Sequence, residues 1–180
     1  SVQLGDTVYL LNLDSNSPLT PGSQQIAWVS KQLASLPATV RFVLLNLHHP
    51  PVVDVQQDGD DSHNGRPNEA ALAEVLATAG QKSRVRFVVA AGHIHNYERF
   101  NQDGIVYLVS GGGGAKPRPV VRQPKDLYQD LGFPNYHYIM LAVDGGKLDG
   151  AMIRVADPDA ATPRWEEKDH FQVLAARPVK

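Results

Sequence analysis

The chain has 180 residues, 42% of them apolar and 20% charged, with a net charge of −2 and no cysteine. That length fits a single domain, 1–180, with a sizeable core, and the near-neutral charge disfavours nucleic acid, which asks for a basic surface. The missing thiols exclude disulfides and cysteine metal sites, and no apolar run reaches the roughly 18 residues that a membrane span needs.

In chain order, TVYLLNLDS (7–15) is the first clear element; its β-branched and apolar residues with a polar exit predict a strand. Residues 17–37 predict a turn and then a helix, because Ile26, Val29 and Leu33 recur at spacings of three and four and Pro37 stops the pattern. TVRFVLLNL (39–47) is a continuous apolar run, as expected of a strand buried on both faces. The polar stretch 48–67, rich in Asp, Gly and Pro, reads as a long loop of the kind usually tied to function. NEAALAEVLATAG (68–80) predicts a helix capped by Asn68 and stopped by Gly80.

RVRFVVAA (84–91) predicts another buried strand, and GIVYLVSGGGG (104–114) a strand that runs into a four-glycine turn. Residues 136–157 form a predicted hairpin about Gly-Gly, and HFQVLAA (170–176) one more short strand. Strands alternating with helices and then strands alone point to an α/β fold that ends in an antiparallel part. The sequence opens on Ser1 rather than Met and shows no signal peptide, so the expectation is that the start of the natural product has been removed.

The chemistry concentrates at two strand ends. AAGHIHNYERF (90–100) places His93 and His95 after a buried run. In an extended segment, residues i and i+2 face one side roughly 6–7 Å apart, a spacing suited to two adjacent ions about 3.5–4 Å apart. Gly92 offers a close backbone approach or a positive φ. His48 and His49 end another buried strand; adjacent residues face opposite ways, so one ring would enter a given site. Pro50 biases His49 towards extended backbone, and strand ends are where α/β sheets hold ligands. The blander reading is a set of surface histidines with ordinary hydrogen bonds.

GHIHNYER closely resembles the Gly-His-x-His-x-Tyr-Glu-Arg motif of purple acid phosphatases and related calcineurin-like metallophosphoesterases, and LLNLHHPP resembles the strand and His-x-Pro segment before it. VYLLNLDSN, QIAWVSKQL and VSGGGGA also look like family segments, in the right order. The resemblance implies a metallophosphoesterase-type α/β/β/α sandwich, of which this chain is the C-terminal half. It implies two divalent or trivalent ions (Fe, Mn or Zn), with His48 and His93 on one, His95 on the other, and His49 beside them. The ions would activate a hydroxide for in-line attack on a phosphate ester.

The family also uses Asp-x-His, Gly-Asp-x-x-Asp and Gly-Asn-His-Glu/Asp segments earlier in the chain, and none stands in its expected place here. Asp-Ser-His (61–63) follows His48 and has no buried strand before it; Leu-Gly-Asp (4–6) has Tyr9, not an acid, three residues after Asp6. Neutral imidazoles do not balance two close divalent ions, so a bridging carboxylate is required. The expectation is half a site, completed by the missing N-terminal half of the domain, with a homodimer or swapped assembly as another way to cover open strand edges.

Among lesser candidates, His63 in the long loop is a possible general acid for the leaving group, or a solvated loop histidine. Tyr97, Glu98 and Arg99 are expected to fix the histidine loop, with phosphate contact by Arg99 as the alternative. The glycine run 111–114 lacks the Gly-Lys-Ser/Thr ending of a P-loop, and Pro117 and Pro119 block the helix that a nucleotide site would need. Asn46 is expected to be a satisfied buried amide and Trp28 a core residue. The resemblance therefore implies a metal-dependent phosphomonoesterase or phosphodiesterase; the residues name no location, and the resemblance favours export to the periplasm or the extracellular space. The alternative is a catalytically silent fragment that binds one metal or packs against a partner chain.

Overall fold

The computed structural model describes residues 1–57, 64–81 and 83–176. Its centre is a six-stranded mixed sheet. In chain order the strands and helices are β1 (Val2–Leu4), β2 (Val8–Asn12), α1 (Gln24–Ala34), β3 (Phe42–Leu47), β4 (Val55–Gln56), α2 (Pro67–Gln81), β5 (Arg86–Ala91), β6 (Tyr97–Gln102) and β7 (Ile105–Ser110). The sheet order is β1-β2-β3-β5-β7-β6. The inner four strands are parallel, and β1 and β6 close the edges antiparallel. Beyond it lie β8 (Val120–Val121), paired with β4, and a three-stranded antiparallel sheet of β9 (His137–Asp144), β10 (Lys147–Val155) and β11 (Trp165–Leu174).

Period-two alternation sorts the apolar runs onto two faces. Val43, Leu45, Phe87, Val89, Tyr107 and Val109 face α1 and α2, where Ile26, Val29, Leu72 and Leu76 meet them. Phe42, Val88, Val106 and Leu108 face the second sheet, where Leu148, Phe171 and Val173 fill the space. Each such fully buried side chain stabilises the fold by roughly 1.5–3 kcal/mol. The described residues thus supply helices, a sheet and a second sheet. The layering of helix, sheet and sheet agrees with the expected sandwich as far as the described residues go, with the second sheet three strands wide. No helix among the described residues is long and apolar enough to cross a membrane.

Several local expectations differ from the structure. Asn68 does not cap α2: Pro67 enters its first turn and the Arg66 carbonyl accepts the first helical bond, from Ala70. The Asn68 carboxamide instead accepts from the Leu19 amide at 2.8 Å and donates to the Ser15 and Ser17 carbonyls, pinning loop 13–23 to α2. Gly80 does not stop the helix, which runs on to Gln81. Asn46 is exposed rather than buried, because the second sheet does not reach the end of β3 that carries it. Trp28 is half-buried against the helix-side core. Tyr97, Glu98 and Arg99 open an edge strand, β6.

Candidate metal centre

The parallel register brings three chain ends side by side. Asn12 pairs with Asn46, and Leu47 with Ala91, so β2, β3 and β5 finish together at the carboxyl edge of the sheet. Backbone bonds extend the ladder beyond them, from Leu13 N–H to Asn46 O and from Gly92 N–H to His48 O. Ser15, His48, His49 and His93 therefore converge because three strands stop at one level, where parallel sheets place their ligands.

A ring nitrogen from each of His48, His49 and His93 lies within 4.8 Å of the others. His93 Nδ1 stands 3.2 Å from His48 Nε2. At metal–nitrogen bonds of about 2.0–2.1 Å, that separation corresponds to an N–metal–N angle of about 100°, which suits a single ion held by both rings. His49 is committed elsewhere. Arg66 donates to its Nε2 at 3.0 Å, so Nδ1 carries the proton and donates to Ser15 Oγ at 2.8 Å. Burial first, then the charges of Arg66 and His48, hold its pKa below the usual histidine value. Arg66 is itself fixed by a two-pronged pair with the fully buried Glu69, at 2.9 and 2.8 Å.

The segment carrying His93 and His95 is not extended, contrary to expectation. Ile94 N–H bonds to Gly92 O and Asn96 N–H to Ile94 O, two successive tight turns around the fully buried Ile94. The positive φ falls on His93, at 66°, rather than on Gly92. A non-glycine residue held there costs on the order of 1 kcal/mol, and such strain gathers at functional sites. His95 lies outside the three-ring group. Its Nδ1–H donates to the Lys116 carbonyl at 3.0 Å, which leaves Nε2 as the lone-pair nitrogen. This donation to a backbone carbonyl is the bond that orients metal-binding histidines. The expectation for His63 falls outside the described residues.

No family model matches the chain. Probable purple acid phosphatase 20 of Arabidopsis thaliana is 32% identical over 116 residues, which is 59% of this chain and 26% of that protein. Three solved structures share the fold. They are purple acid phosphatase PPD1 from yellow lupin (Lupinus luteus) seeds, PhoD, and GAP50, described as the anchor in the inner membrane complex of Plasmodium. The lupin structure gives a TM-score of 0.68 at 19% identity, over 94% of this chain and 31% of that one. PhoD gives 0.64 at 15% identity (96% and 41% covered), and GAP50 gives 0.62 at 15% (94% and 50% covered). Over those 116 residues the chain is similar to a purple acid phosphatase, and its fold is that of the lupin enzyme.

The Tyr-Glu-Arg triplet is bonded to the second sheet and to the 50–57 segment. Arg99 donates through Nε and Nη2 to Asp169 of β11, at 2.6 and 3.0 Å, and the Tyr97 hydroxyl donates to the same carboxylate at 2.8 Å. The guanidinium thus ties the first sheet to the second. Glu98 is fully buried and accepts the Asp54 N–H at 2.7 Å; burial above all pushes its pKa well up. The glycine run serves packing. A Cβ on Gly111 would stand 1.8 Å from Ile94 O, so the run lies directly against the histidine turn.

Sequence reasoning missed Ser15, Arg66, Asn96 and the buried acids Asp54 and Asp126, each positioned by partners distant in sequence. A wide groove lined by Ser17, Pro18, Pro21 and Trp28 opens beside the start of α1 and carries no metal-ligating or titratable side chain.

Proposed function

We propose that this chain supplies the histidine side of a metal-dependent phosphoesterase centre that acts on phosphomonoesters or phosphodiesters. The observation that carries the reading is the 3.2 Å approach of His93 Nδ1 to His48 Nε2 where adjacent parallel strands end. His48 and His93 hold one ion; His95, its Nδ1 tied to Lys116 O, offers Nε2 to a second. Bound ions supply Lewis-acid chemistry, neutralising the phosphoryl oxygens and lowering the pKa of an attacking water. The protein's own part is orientation. Ser15 and Arg66 keep His49 neutral and immobile behind the pair, and the tight turns at 92–96 aim the two ligating rings. His63 is proposed as the acid that protonates the leaving group.

No carboxylate joins the three-ring group among the described residues, and we assign the carboxylates to a further segment. The chain spans 26% of the length of the curated relative and 31% of the lupin structure, so the activity proposed belongs to a larger assembly. Support comes from the open side of the fold. Among the described residues β9 is an unpaired edge of its sheet with Tyr138 and Met140 exposed, and Asn12 and Asn46 are exposed on the first sheet. A carboxylate-bearing half that adds strands to β9 covers that face. The second reading, a silent fragment that binds one ion, is favoured by the makeup of the three-ring group, which holds imidazoles alone among the described residues.

Metal analysis paired with a phosphatase assay separates the two, on this chain and on a version lengthened at its N-terminus to include the carboxylate segments. Hydrolysis of p-nitrophenyl phosphate is expected only in the longer protein, and His93→Ala abolishes it there. Full activity in the His93→Ala variant sinks the proposal.

A further inference from the structure

Asn96 follows the second histidine and is 4% exposed. Its side-chain oxygen accepts from Tyr97 N–H at 2.8 Å, Asn135 Nδ2 at 2.8 Å and Arg122 Nη2 at 3.2 Å. Its Nδ2 donates to Arg118 O at 2.7 Å. The amide has a single orientation, because a guanidinium and a backbone N–H only donate and a carbonyl only accepts. Its backbone is engaged as well: N–H to Ile94 O, and C=O from Gly111 N–H at 3.1 Å. One residue thus joins the histidine turn to the strand that follows it and to the 118–135 segment through its side chain, and to the glycine run through its carbonyl.

The supports are themselves held in place. Asn135 is fully buried, and Arg122 is clamped by Asp126 at 2.7 Å and by the Tyr97 carbonyl. Arg118 N–H returns to His95 O at 3.0 Å, so both sides of the turn lead back to the same cluster.

We infer that Asn96 is a positioning residue for the metal centre, holding the strained turn that aims His93 and His95, with Asn135 and Arg122 as its supports. The inference rests on the metal reading given above. It predicts that the carboxamide controls ion affinity without touching the ion, as groups that orient ligands do.

The test is Zn2+ titration calorimetry on this chain, with amide hydrogen exchange at Ile94 read on the same samples. Asn96→Ala is expected to weaken Zn2+ binding about 10–100-fold and to speed exchange at Ile94 at least about tenfold, while the amides of α1 and α2 keep their protection. Asn96→Asp keeps the oxygen that takes three of the bonds and is expected to recover most of both effects; a merely structural role would shift melting and leave affinity alone. Asn135→Ala removes one donor and guards against misfolding of the harsher variant; a smaller loss in the same direction is expected.

Wild-type affinity and wild-type Ile94 exchange in folded Asn96→Ala and Asn135→Ala overturn the inference. Should wild type and His93→Ala bind Zn2+ alike, the metal reading is what fails. The exchange rates then decide the positioning claim by themselves: faster exchange at Ile94 upholds it and unchanged exchange overturns it.

Discussion

Replacing Asp54 with Asn should flatten the pH dependence of stability. Asp54 is fully buried, accepts the Gln123 N–H at 3.2 Å, and sits with Glu98 and Asp126 around one guanidinium, Arg122. Three carboxyl groups against one fixed cation are not all ionised in a dry site. Burial, then the charge of Asp126, pushes Asp54 from 3.8 up to about 7. The folded state therefore holds a proton that the unfolded chain has released above about pH 4. This contribution is fully present below the unfolded pKa and is lost as pH rises to about 7. A shift of about three units, at about 1.36 kcal/mol each, sets its size at about 4 kcal/mol.

Asn at this position mimics the protonated acid, keeping a carbonyl for Gln123 and offering N–H towards Asp126. Urea denaturation followed by circular dichroism from about pH 4 to about pH 8 should show wild type losing stability across the window. The advantage of Asp54→Asn over wild type should grow with pH towards that 4 kcal/mol. A difference between the two proteins that stays constant with pH refutes the assignment of the buried proton.

Two further outcomes follow from the same contacts. Gly111→Ala drives a Cβ against the Ile94 carbonyl, so the histidine turn must move; a loss of about 3 kcal/mol or more in thermal melting, together with loss of Zn2+ binding, is expected. Arg66→Ala strands the buried Glu69 carboxylate, at a cost of about 3 kcal/mol, and removes a charge that depresses His49, so its pKa, read by NMR, should rise.

What the sequence disclosed depended on how local the cause was. The apolar runs that became β3, β5 and β7 are legible because both faces are buried, and the α1 periodicity is legible because Ile26 and Val29 face one core. The strand character of β6 was hidden, because Tyr-Glu-Arg-Phe-Asn-Gln looks polar until Asp169 from β11 pairs with its Arg99 and the Asp54 N–H from the 50–57 segment donates to its Glu98. The ring pair was legible as a pattern of histidines at strand ends, whereas the conformation of 92–96 was not. That turn is imposed by Gly111 beneath it and by the Asn96 hub, both set by segments that return later in the chain. The role of His49 follows from Ser15 and Arg66, which no local spacing reveals.

The number of ions this chain holds alone follows from charge. Two divalent ions about 3.5–4 Å apart repel by roughly 18 kcal/mol at an effective dielectric constant of about 20. Neutral imidazoles donate lone pairs and carry no charge, so they offset none of this, and the three-ring group contains no carboxylate among the described residues. The His48–His93 pair accommodates one ion, the nearby Arg66 being paired with Glu69; a second meets the full repulsion, because His95 brings only another neutral ring. Calorimetric titration of this chain with Zn2+ should saturate at one ion per chain, and His48→Ala and His93→Ala should each remove that event. Two tightly bound ions per chain would contradict the electrostatic argument and show that the carboxylates needed for a two-metal centre already lie within these 180 residues.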